Sequence, residues 1–332
     1  MITEYLPIIF AALMGLSILI YVILDGYDLG IGILTITASE DERDVMVSAI
    51  GPFWDANETW LVLAIGILLT AFPLAHGEIL GFLYIPVFFM LIGLIFRGVS
   101  FEFRAKANPD NKVYWDFAFF IGSLVTTLSQ GYMLGMYIMG LEYSMEALLF
   151  SSVTSLILIS AYCFIGSLWL VYKTKDELRK KYINISKNLV IAVFLGFGLI
   201  SIITPIASER IAEKWFRIPE ILALLPIPMM VTLLSLSLFY FLAYLKNIDN
   251  YKLDIFPFVL GSLLFILAFI GLAYSFYPYI IPDQMTIYEA AISSESLIII
   301  LYGTLFVLPT IICYTAVSYY IFRSKAEPLS YK

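Results

Sequence analysis

Residues 24–30 read Leu-Asp-Gly-Tyr-Asp-Leu-Gly, and residues 51–60 read Gly-Pro-Phe-Trp-Asp-Ala-Asn-Glu-Thr-Trp. These two stretches place four carboxylates, an asparagine and two tryptophans beside or within the first two long apolar runs of the chain. An ionisable group at membrane depth costs several kcal/mol, about 3 on insertion scales, so it usually faces other protein or a water-filled path. The two stretches therefore predict a polar site inside a membrane protein.

The composition outside these stretches is that of a membrane protein. Of the 332 residues, 61% are hydrophobic and 14% are charged, whereas soluble domains are about 45–50% apolar and about 25% charged. The net charge is −7 and no basic stripe is present, which argues against nucleic acid as a partner. Cys163 and Cys313 lie far apart inside apolar runs, so neither a disulfide framework nor a zinc site is expected.

The hydrophobic runs predict an all-α integral membrane protein that forms a single polytopic domain over residues 1–332. A membrane helix needs about 20 mostly apolar residues to cross about 30 Å, and nine runs meet this requirement. The predicted spans are about 6–35, 53–75, 79–103, 113–140, 147–172, 187–205, 219–245, 255–278 and 297–322. The first span follows no basic region and has no cleavage site, so it is expected to be retained.

The basic residues indicate the orientation of the nine spans. Most of the 19 lysines and arginines fall in the loops of one side, and the other side holds only Arg210, Lys214 and Arg217. Cytoplasmic loops carry an excess of Lys and Arg. The sequence therefore predicts an N-terminus outside and a C-terminus in the cytoplasm, with both polar stretches toward the cytoplasmic half.

The spacing within the first stretch places its acids and its glycines on defined helix faces. Asp25 and Asp28 are three residues apart and share one face. Gly26 and Gly30 are four residues apart, a spacing of small residues that lets another helix backbone approach closely.

The second stretch predicts the start of a helix. Pro52 suits the first helical position, which places Asp55 and Glu58 on one face of the first two turns. Asn57 and Trp60 then share a neighbouring face.

Two interpretations of these residues remain open. Asp55 and Glu58 suit the positive end of a helix dipole, and Trp54 and Trp60 suit an aromatic belt at the membrane surface. Alternatively, four acids that converge in a buried place repel each other and favour protonated carboxyl groups, as in proton-handling sites. We favour a proton path or a buried polar contact between the two helices.

A third polar stretch, residues 96–104, reads Phe-Arg-Gly-Val-Ser-Phe-Glu-Phe-Arg and ends the third span. Arg97, Glu102 and Arg104 either pair with the acids of the first two helices or lie at the membrane surface with their stems on apolar groups. Asp116 and Gln130 in the fourth span are weaker candidates for the polar site.

The chain is poorly equipped to bind a redox metal by itself. Its one histidine, His76, falls in a short predicted outer loop, where a lone histidine is usually a surface residue. Haem iron needs axial His, Met, Cys or Tyr ligands held at defined positions. No HExxH, CxxCH, Walker or GxGxxG pattern occurs.

Taken together, the three stretches resemble subunit II of cytochrome bd-type quinol oxidases, and most closely its shorter, cyanide-insensitive branch. The matching motifs are Asp-Gly-aromatic-Asp-x-Gly, Gly-Pro-x-Trp-Asp-x-Asn-Glu-x-Trp and Phe-Arg-Gly-Val-x-Phe-Glu-Phe-Arg. They cover about the first third of the chain, and the nine-span plan matches over its whole length. Phe53 and Ala56 depart mildly from the family pattern and leave the carboxylates untouched.

The resemblance implies a heterodimer with a haem-bearing subunit I, which carries two haem b groups and haem d. The complex oxidises quinol, reduces dioxygen to water and takes protons from the cytoplasm, in a bacterial or archaeal cytoplasmic membrane. It also implies two four-helix bundles plus one peripheral helix, no haem ligands in this chain, a structural quinone, and a small single-span third subunit. Asp55 occupies the position of an acid in the family's proton path, and Asp25 matches the motif acid of helix one.

Two rival functions remain open on the sequence alone. A secondary transporter would use the same carboxylates for ion coupling, although such proteins tend to show internal repeats and interrupted helices around a midplane site. A purely structural membrane scaffold would need the same residues only for assembly.

Overall fold

The computed structural model describes residues 2–218, 220–248 and 250–327, and nearly all of this chain is helical. The α-helices are α1 (Ile2–Leu34), α2 (Glu40–Ile50), α3 (Trp54–Ala71), α4 (Pro73–Phe82), α5 (Tyr84–Lys106), α6 (Lys112–Ile138), α7 (Met145–Lys173), α8 (Asp176–Ala207), α9 (Glu209–Phe216), α10 (Glu220–Leu224), α11 (Pro226–Leu245), α12 (Ile255–Phe276), α13 (Ile287–Ala290) and α14 (Ser294–Ile321). Short 3-10 helices cover Thr35–Thr37, Pro109–Asn111 and Tyr251–Leu253. Strands β1 (Tyr279–Ile281) and β2 (Met285–Thr286) form an antiparallel hairpin.

Eight helical segments are long and apolar enough to cross a membrane, which confirms an all-helical membrane protein. They are Thr3–Thr37, Tyr84–Lys106, Lys112–Ile138, Met145–Lys173, Asp176–Ile206, Pro226–Leu245, Tyr251–Phe276 and Ser294–Ile321. Each corresponds to one of the nine predicted spans. The predicted seventh span began at Pro219, which lies outside the described residues, and its long helix begins at Pro226.

The predicted second span, 53–75, is the one without a counterpart among these eight segments. Helix α3 has 18 residues, and its first two turns carry Asp55, Asn57 and Glu58. These polar side chains lower the apolar character of the segment. At a rise of 1.5 Å per residue α3 is about 27 Å long, close to the thickness of the hydrocarbon core. The count of nine spans stays a prediction.

Several predicted boundaries were wrong, for identifiable reasons. The predicted second span, 53–75, continues past Phe72, whereas helix α3 ends at Ala71 because Pro73 begins the separate helix α4. The predicted third span begins at residue 79, inside α4, whereas α5 begins at Tyr84. The predicted sixth span begins at residue 187, whereas α8 begins at Asp176. The charged first turns of α8 have the low hydropathy of a loop, which explains the difference.

Helix α1 lies at the centre of the packing, against α3, α6 and α7. Helix α5 packs on α6, and α6 packs on α7. Helix α7 also packs on α8 and α12, and α11 packs against both α8 and α12. Helix α14 lies at the edge: of its residues, all of which the structure describes, Leu297 alone is buried. The division into two bundles and a peripheral helix stays a prediction.

The crossing of α1 and α7 is unusually close, and two glycines permit it. A Cβ atom on Gly30 would lie 1.8 Å from the carbonyl oxygen of Tyr162, and one on Gly26 would lie 2.8 Å from the ring of the same tyrosine. A larger side chain at Gly30 would have to separate the two backbones. The crossing fixes the depth at which the neighbouring acids of α1 are held.

Candidate functional site

Two acids of α1 are completely buried inside the chain. Asp25 and Asp28 are each 0% exposed, and they lie on the face of α1 that meets α3 and α5. They are followed by Leu29, Ile31 and other buried apolar residues. Since the cost of burying an isolated carboxylate is large, both groups need partners or a proton.

Arg97 on α5 supplies the positive charge of this cluster. Its Nη1 atom donates to Oδ1 of Asp25 at 2.5 Å, and its Nη2 atom donates to Oε1 of Glu58 on α3. The guanidinium is 1% exposed, and the Glu58 side chain is 28% exposed. Arg97 therefore joins α1, α3 and α5 at one point, as one of the two sequence interpretations predicts.

Asn57 on α3 connects Asp28 to two tyrosines. Its Nδ2 atom donates to Oδ2 of Asp28 at 2.8 Å and to the hydroxyl of Tyr27 at 3.0 Å. Tyr319 on α14 donates to Oδ1 of Asn57 at 3.1 Å, and the two tyrosine hydroxyls lie 2.6 Å apart. The cluster of Asp25, Asp28, Glu58, Arg97, Asn57, Tyr27 and Tyr319 is called the carboxylate cluster below.

The carboxylate cluster contains more acid than base. Its three carboxyl groups meet one guanidinium, and Arg97 is the only cation within ion-pair distance of them in the part of the chain that the structure describes. Oδ2 of Asp25 and Oδ1 of Asp28 are buried without a hydrogen-bond partner among the same residues. Buried carboxylates that share a site commonly hold a proton between them. The cluster is therefore suited to hold an exchangeable proton.

A second series of side-chain hydrogen bonds connects α6 and α7 to the same part of α1. The side-chain amide of Gln130 donates to the hydroxyl of Tyr21 at 2.6 Å, and Tyr162 donates to Oε1 of Gln130 at 2.7 Å. Tyr21 lies one helical turn before Asp25. Gln130 is a weak candidate from the sequence alone. In the structure it contacts Tyr21, which lies one helical turn from Asp25 of the cluster.

Asp55 lies apart from the buried acids. It is exposed on the first turn of α3. It lies close enough to Glu58 for the two negative charges to repel each other, and Glu58 is itself partly exposed. The order from the surface inward is therefore Asp55, Glu58, and then Arg97 with Asp25 and Asp28. This order follows α3 from the end of its first turn into the interior.

The two tryptophans of the second stretch occupy different environments. Trp60 is buried, at 2% exposed, which an aromatic belt at the membrane surface does not explain. The ring of Trp54 packs on Phe101 of α5 with centroids 5.0 Å apart. Both rings therefore help to fix α3 within the chain.

The remaining candidates on α5 have other partners. Arg104 is hydrogen-bonded to Asp116 of α6 and lies 2.8 Å from Asp44 of α2. Glu102 is exposed. Of Arg97, Glu102 and Arg104, Arg97 alone forms a described ion pair with the acids of α1 and α3.

A separate ionic group, absent from the sequence interpretation, lies where α8, α12 and the C-terminal segment meet. Asp254 accepts from Nε and Nη2 of Arg179 at 3.0 and 2.7 Å and from Lys325 at 2.6 Å. Tyr319 was also missed, because it lies 262 residues from Asn57 and its spacing gives no signal. The group of Asp254, Arg179 and Lys325 is called the Asp254 clamp below.

The donor atoms of the carboxylate cluster do not suit haem. They are carboxylate and amide groups, one guanidinium and the phenols of Tyr27 and Tyr319. Of these, only a phenol is a known haem ligand, and both phenols are hydrogen-bonded to each other and to Asn57. His76 is partly buried on α4, outside the cluster. Among the described residues, no three His, Cys, Asp or Glu side chains are grouped to hold a metal ion.

The comparisons with known proteins agree with one another. The chain is 25% identical over 331 residues to the protein of Bacillus subtilis named cytochrome bd ubiquinol oxidase subunit 2, which covers 93% of this chain and 94% of the relative. It is 32% identical over 146 residues to cytochrome bd-I ubiquinol oxidase subunit 2 of Escherichia coli K12, or 43% of this chain and 38% of that protein. The second match thus spans well under half of the relative.

The fold is also that of a solved bd oxidase chain. A chain of the bd oxidase from Geobacillus thermodenitrificans superposes with a TM-score of 0.74 over 94% of this chain and 98% of its own length, at 16% identity. At that identity the likeness concerns the fold alone. The sequence model described as "Cytochrome bd terminal oxidase subunit II" matches residues 6–322. Since this range is nearly the whole sequence, the chain belongs to the family of cytochrome bd terminal oxidase subunit II.

Proposed function

We propose that this chain is the second subunit of a terminal oxidase that oxidises quinol and reduces dioxygen to water, and that its carboxylate cluster serves proton uptake. The observation that supports the proposal most directly is the excess of acidic over basic groups in the cluster. Three carboxyl groups share one guanidinium, and two buried carboxyl oxygens have no hydrogen-bond partner among the described residues. Family membership supplies the oxidase context.

In this proposal the proton moves inward along α3 and then to α1. Asp55 and the partly exposed Glu58 take it up, and Glu58 shares Arg97 with Asp25. The proton is then held at Oδ2 of Asp25 or Oδ1 of Asp28, the two carboxyl oxygens of the cluster that accept no hydrogen bond from the described residues. Oδ2 of Asp28 is occupied by the Asn57 amide and does not compete.

The exposed acids of α3 favour a protein partner on that face. Asp55 is exposed and Glu58 is partly exposed on a helix that packs along the central span α1. A carboxylate that faces lipid is costly, so such groups usually face protein or water. The proposed partner is the haem-bearing subunit I, which covers the acids and receives the proton.

The orientation follows from the loop charges. Nine spans, with α3 as the second, place most basic residues on the cytoplasmic side, and Asp55 then lies near the cytoplasmic surface. The quinone, the small third subunit and the membership of the cyanide-insensitive branch stay predictions.

The haem groups of the proposed complex belong to subunit I. There they would supply electron transfer and oxygen chemistry. The proposed role of this chain is limited to binding, holding and passing a proton.

The findings bear differently on the two rival functions, the secondary transporter and the structural scaffold. Membership in an oxidase subunit family does not favour a secondary transporter. A structural scaffold needs the same residues for assembly and differs from our proposal in what the substitution of an acid does to turnover.

The deciding experiment replaces Asp25 and Asp55 by asparagine in the complete complex. We expect Asp25→Asn to lower quinol-oxidase turnover by about 100-fold, the lower end of what a positioned proton-transfer group contributes. Asp55→Asn lowers turnover by a smaller factor, because water can reach Glu58 directly. The haem absorption spectrum is expected to remain that of the unmodified complex.

Glu102→Gln is the matched control, since Glu102 is an exposed acid of α5 outside the cluster. Its turnover should equal that of the unmodified complex. Full turnover of both Asp variants would overturn the proton role, and loss of the haem bands together with the partner subunit would support the scaffold.

A further inference from the structure

A polar cavity of about 460 Å³ lies beside the C-terminal end of α7. Its lining includes Lys173 and Lys175 at that end, Lys325 and Glu327 of the C-terminal segment, and Pro52 before α3. None of these residues belongs to the carboxylate cluster. The lining carries three ammonium groups against one carboxylate, so it favours a negatively charged ligand.

Lys173 is the most deeply buried cation of this lining, at 3% exposed. Its Nζ atom donates to the carbonyl oxygens of Phe322 and Ser324 at 2.5 and 2.8 Å and lies 5.4 Å from the ring centroid of Phe53. These partners carry at most partial negative charge. Among the described residues, the nearby carboxylates pair with other lysines and none lies within ion-pair distance of Lys173. A buried charge without a counter-charge is costly, and the third hydrogen of the ammonium group is still available to an anion.

The other cations of this region do not have enough carboxylates to balance them. Asp254 pairs with Lys325 and also with Arg179, so one carboxylate serves two cations. Lys175 lies 3.8 Å from Glu327, whose side chain is 81% exposed and can turn toward water. With the buried lysine of α7 included, four cations meet two carboxylates, which leaves two positive charges in excess.

The cavity lies at the depth of lipid headgroups. Lys173 is the last residue of the membrane segment Met145–Lys173, and Phe322, which also lines the cavity, directly follows the segment Ser294–Ile321. Two membrane helices therefore end at the cavity, and the headgroup layer lies just outside the hydrocarbon core. The predicted orientation places this end in the cytoplasm, where anionic lipids attract lysine and arginine.

We propose that this cavity binds an anionic phosphate group, presented by a lipid of the adjoining leaflet or as free phosphate. Lys173 donates its third hydrogen to a phosphate oxygen, and Lys175 turns from Glu327 to add a second charge. Ser48 and Ser324 also line the cavity, and their hydroxyl groups can donate to the remaining oxygens. Because these residues come from α2, from the end of α7 and from the C-terminal segment, the bound phosphate holds the three together.

The test uses the complete oxidase complex, washed free of bound lipid in detergent. Phosphatidylglycerol, which is anionic, and phosphatidylcholine, which has no net charge, are added separately in mixed micelles. Native mass spectrometry counts the lipid retained per complex as the lipid concentration is raised. Equilibrium dialysis measures the binding of inorganic phosphate. The unmodified complex should retain phosphatidylglycerol in preference to phosphatidylcholine, with one site that depends on the lysines of the cavity.

Two variants each remove one positive charge from the lining. Lys173→Gln should weaken the binding of phosphatidylglycerol by at least about tenfold, the size of one lost hydrogen bond to a charged group. Lys175→Gln should weaken it by about two- to fivefold, because Lys175 is 48% exposed and its charge is screened by water. Lys106→Gln is the matched control, since Lys106 is an exposed lysine at the end of α5 and does not line the cavity. Its binding should equal that of the unmodified complex.

The two sources of phosphate give different results. Lysine-dependent binding of phosphatidylglycerol that millimolar phosphate does not displace identifies a lipid headgroup, and lysine-dependent binding of inorganic phosphate alone identifies the free ion; either result upholds the site. Equal binding in the unmodified complex and in both cavity variants, or no binding to the unmodified complex, would overturn the proposal. If Lys173→Gln does not assemble, the comparison of Lys175→Gln with Lys106→Gln decides the question, because both substitutions are at exposed positions. Asp25→Asn should leave lipid binding unchanged, so a failure of the proton role and a failure of this site are distinguishable.

Discussion

The carboxylate cluster and the Asp254 clamp are both buried ionic groups, yet their charge balance is opposite. In the clamp, one carboxylate meets two cations, and both of its oxygens accept hydrogen bonds. In the cluster, three carboxyl groups meet one cation, and two buried oxygens have no partner among the described residues. Asp254 and Asp28 are equally inaccessible, at 0% exposed.

The difference shows that equally buried carboxyl groups can have very different numbers of hydrogen-bond partners. The clamp satisfies its acid completely and joins α8 and the start of α12 to the C-terminal segment, which is the work of a structural contact. Burial lowers the pKa of Lys325, and its bond to Asp254 offsets only part of that effect. The cluster instead leaves acceptors open, and a proton is the simplest group to fill them.

The largest expected effect is on stability, at the clamp. Asp254→Ala leaves Arg179 buried without its carboxylate, which should lower the free energy of unfolding by about 3–5 kcal/mol. Denaturant unfolding of the purified complex measures this loss, and turnover per haem should be unchanged in the protein that remains folded. Glu177→Ala is the control, because Glu177 forms an exposed pair with Lys180 and should cost less than about 0.5 kcal/mol.

The second prediction asks whether the cluster also acts as a clamp. Asp28→Asn replaces a carboxyl group by an uncharged group of the same shape, so it should change the free energy of unfolding by about 1 kcal/mol or less. Turnover should nevertheless fall, because the amide cannot carry the exchangeable proton. If instead the unfolding loss matched that of Asp254→Ala while turnover per haem was retained, the contrast between the two groups would be wrong.

The smallest expected effect is at an ion pair outside the spans, Glu42 of α2 with Lys181 of α8. Burial pushes the pKa of Glu42 up, but hydrogen bonds from Lys181 and Ser39 outweigh it and hold the pKa below its usual value. A lowered carboxyl pKa stabilises the fold above the unfolded pKa and loses that contribution as pH falls through the folded value.

Glu42→Gln should therefore cost about 0.5 kcal/mol at neutral pH. The difference should shrink as the pH falls below about 4.3, the ordinary pKa of Glu, and vanish below the lowered pKa of folded Glu42. Unfolding of the two proteins across this pH range measures it. A difference independent of pH would show that the Glu42 side chain acts by packing rather than by charge. The Glu42–Lys181 pair could then not serve as the exposed ion pair with which the buried groups are compared.

The local features of the fold were predictable from the sequence. The three-residue spacing of Asp25 and Asp28 placed both on one face, and the hydropathy of eight runs marked eight membrane helices. The partners of these acids were not predictable, because they come from distant elements. Arg97 lies 72 residues after Asp25, and either snorkelling or pairing fitted its position until the structure placed it.

Other features lay beyond the sequence for different physical reasons. The start of α8 resembles a loop because Asp176, Glu177 and nearby basic residues project from it outside the apolar region. Asp254 follows a short 3-10 helix at the start of α12, and nothing in its neighbours indicates a bond to Arg179, 75 residues earlier. Such contacts are decided by which helices meet, and a single sequence does not state that.

The long separation between Asp25 and Arg97 has a consequence for the synthesis of the chain. Translation at about 5–20 residues per second places about 4–14 s between the two residues, since 72 positions separate them. During that interval the first helix carries two acids that no guanidinium yet neutralises. Each acid, if charged, would add about 3 kcal/mol to the cost of placing that helix in lipid alone, and the pairing of Arg97 with Asp25 lowers this cost. The ion pair between α1 and α5 therefore favours the retention of the first helix near the insertion machinery until α5 has been made.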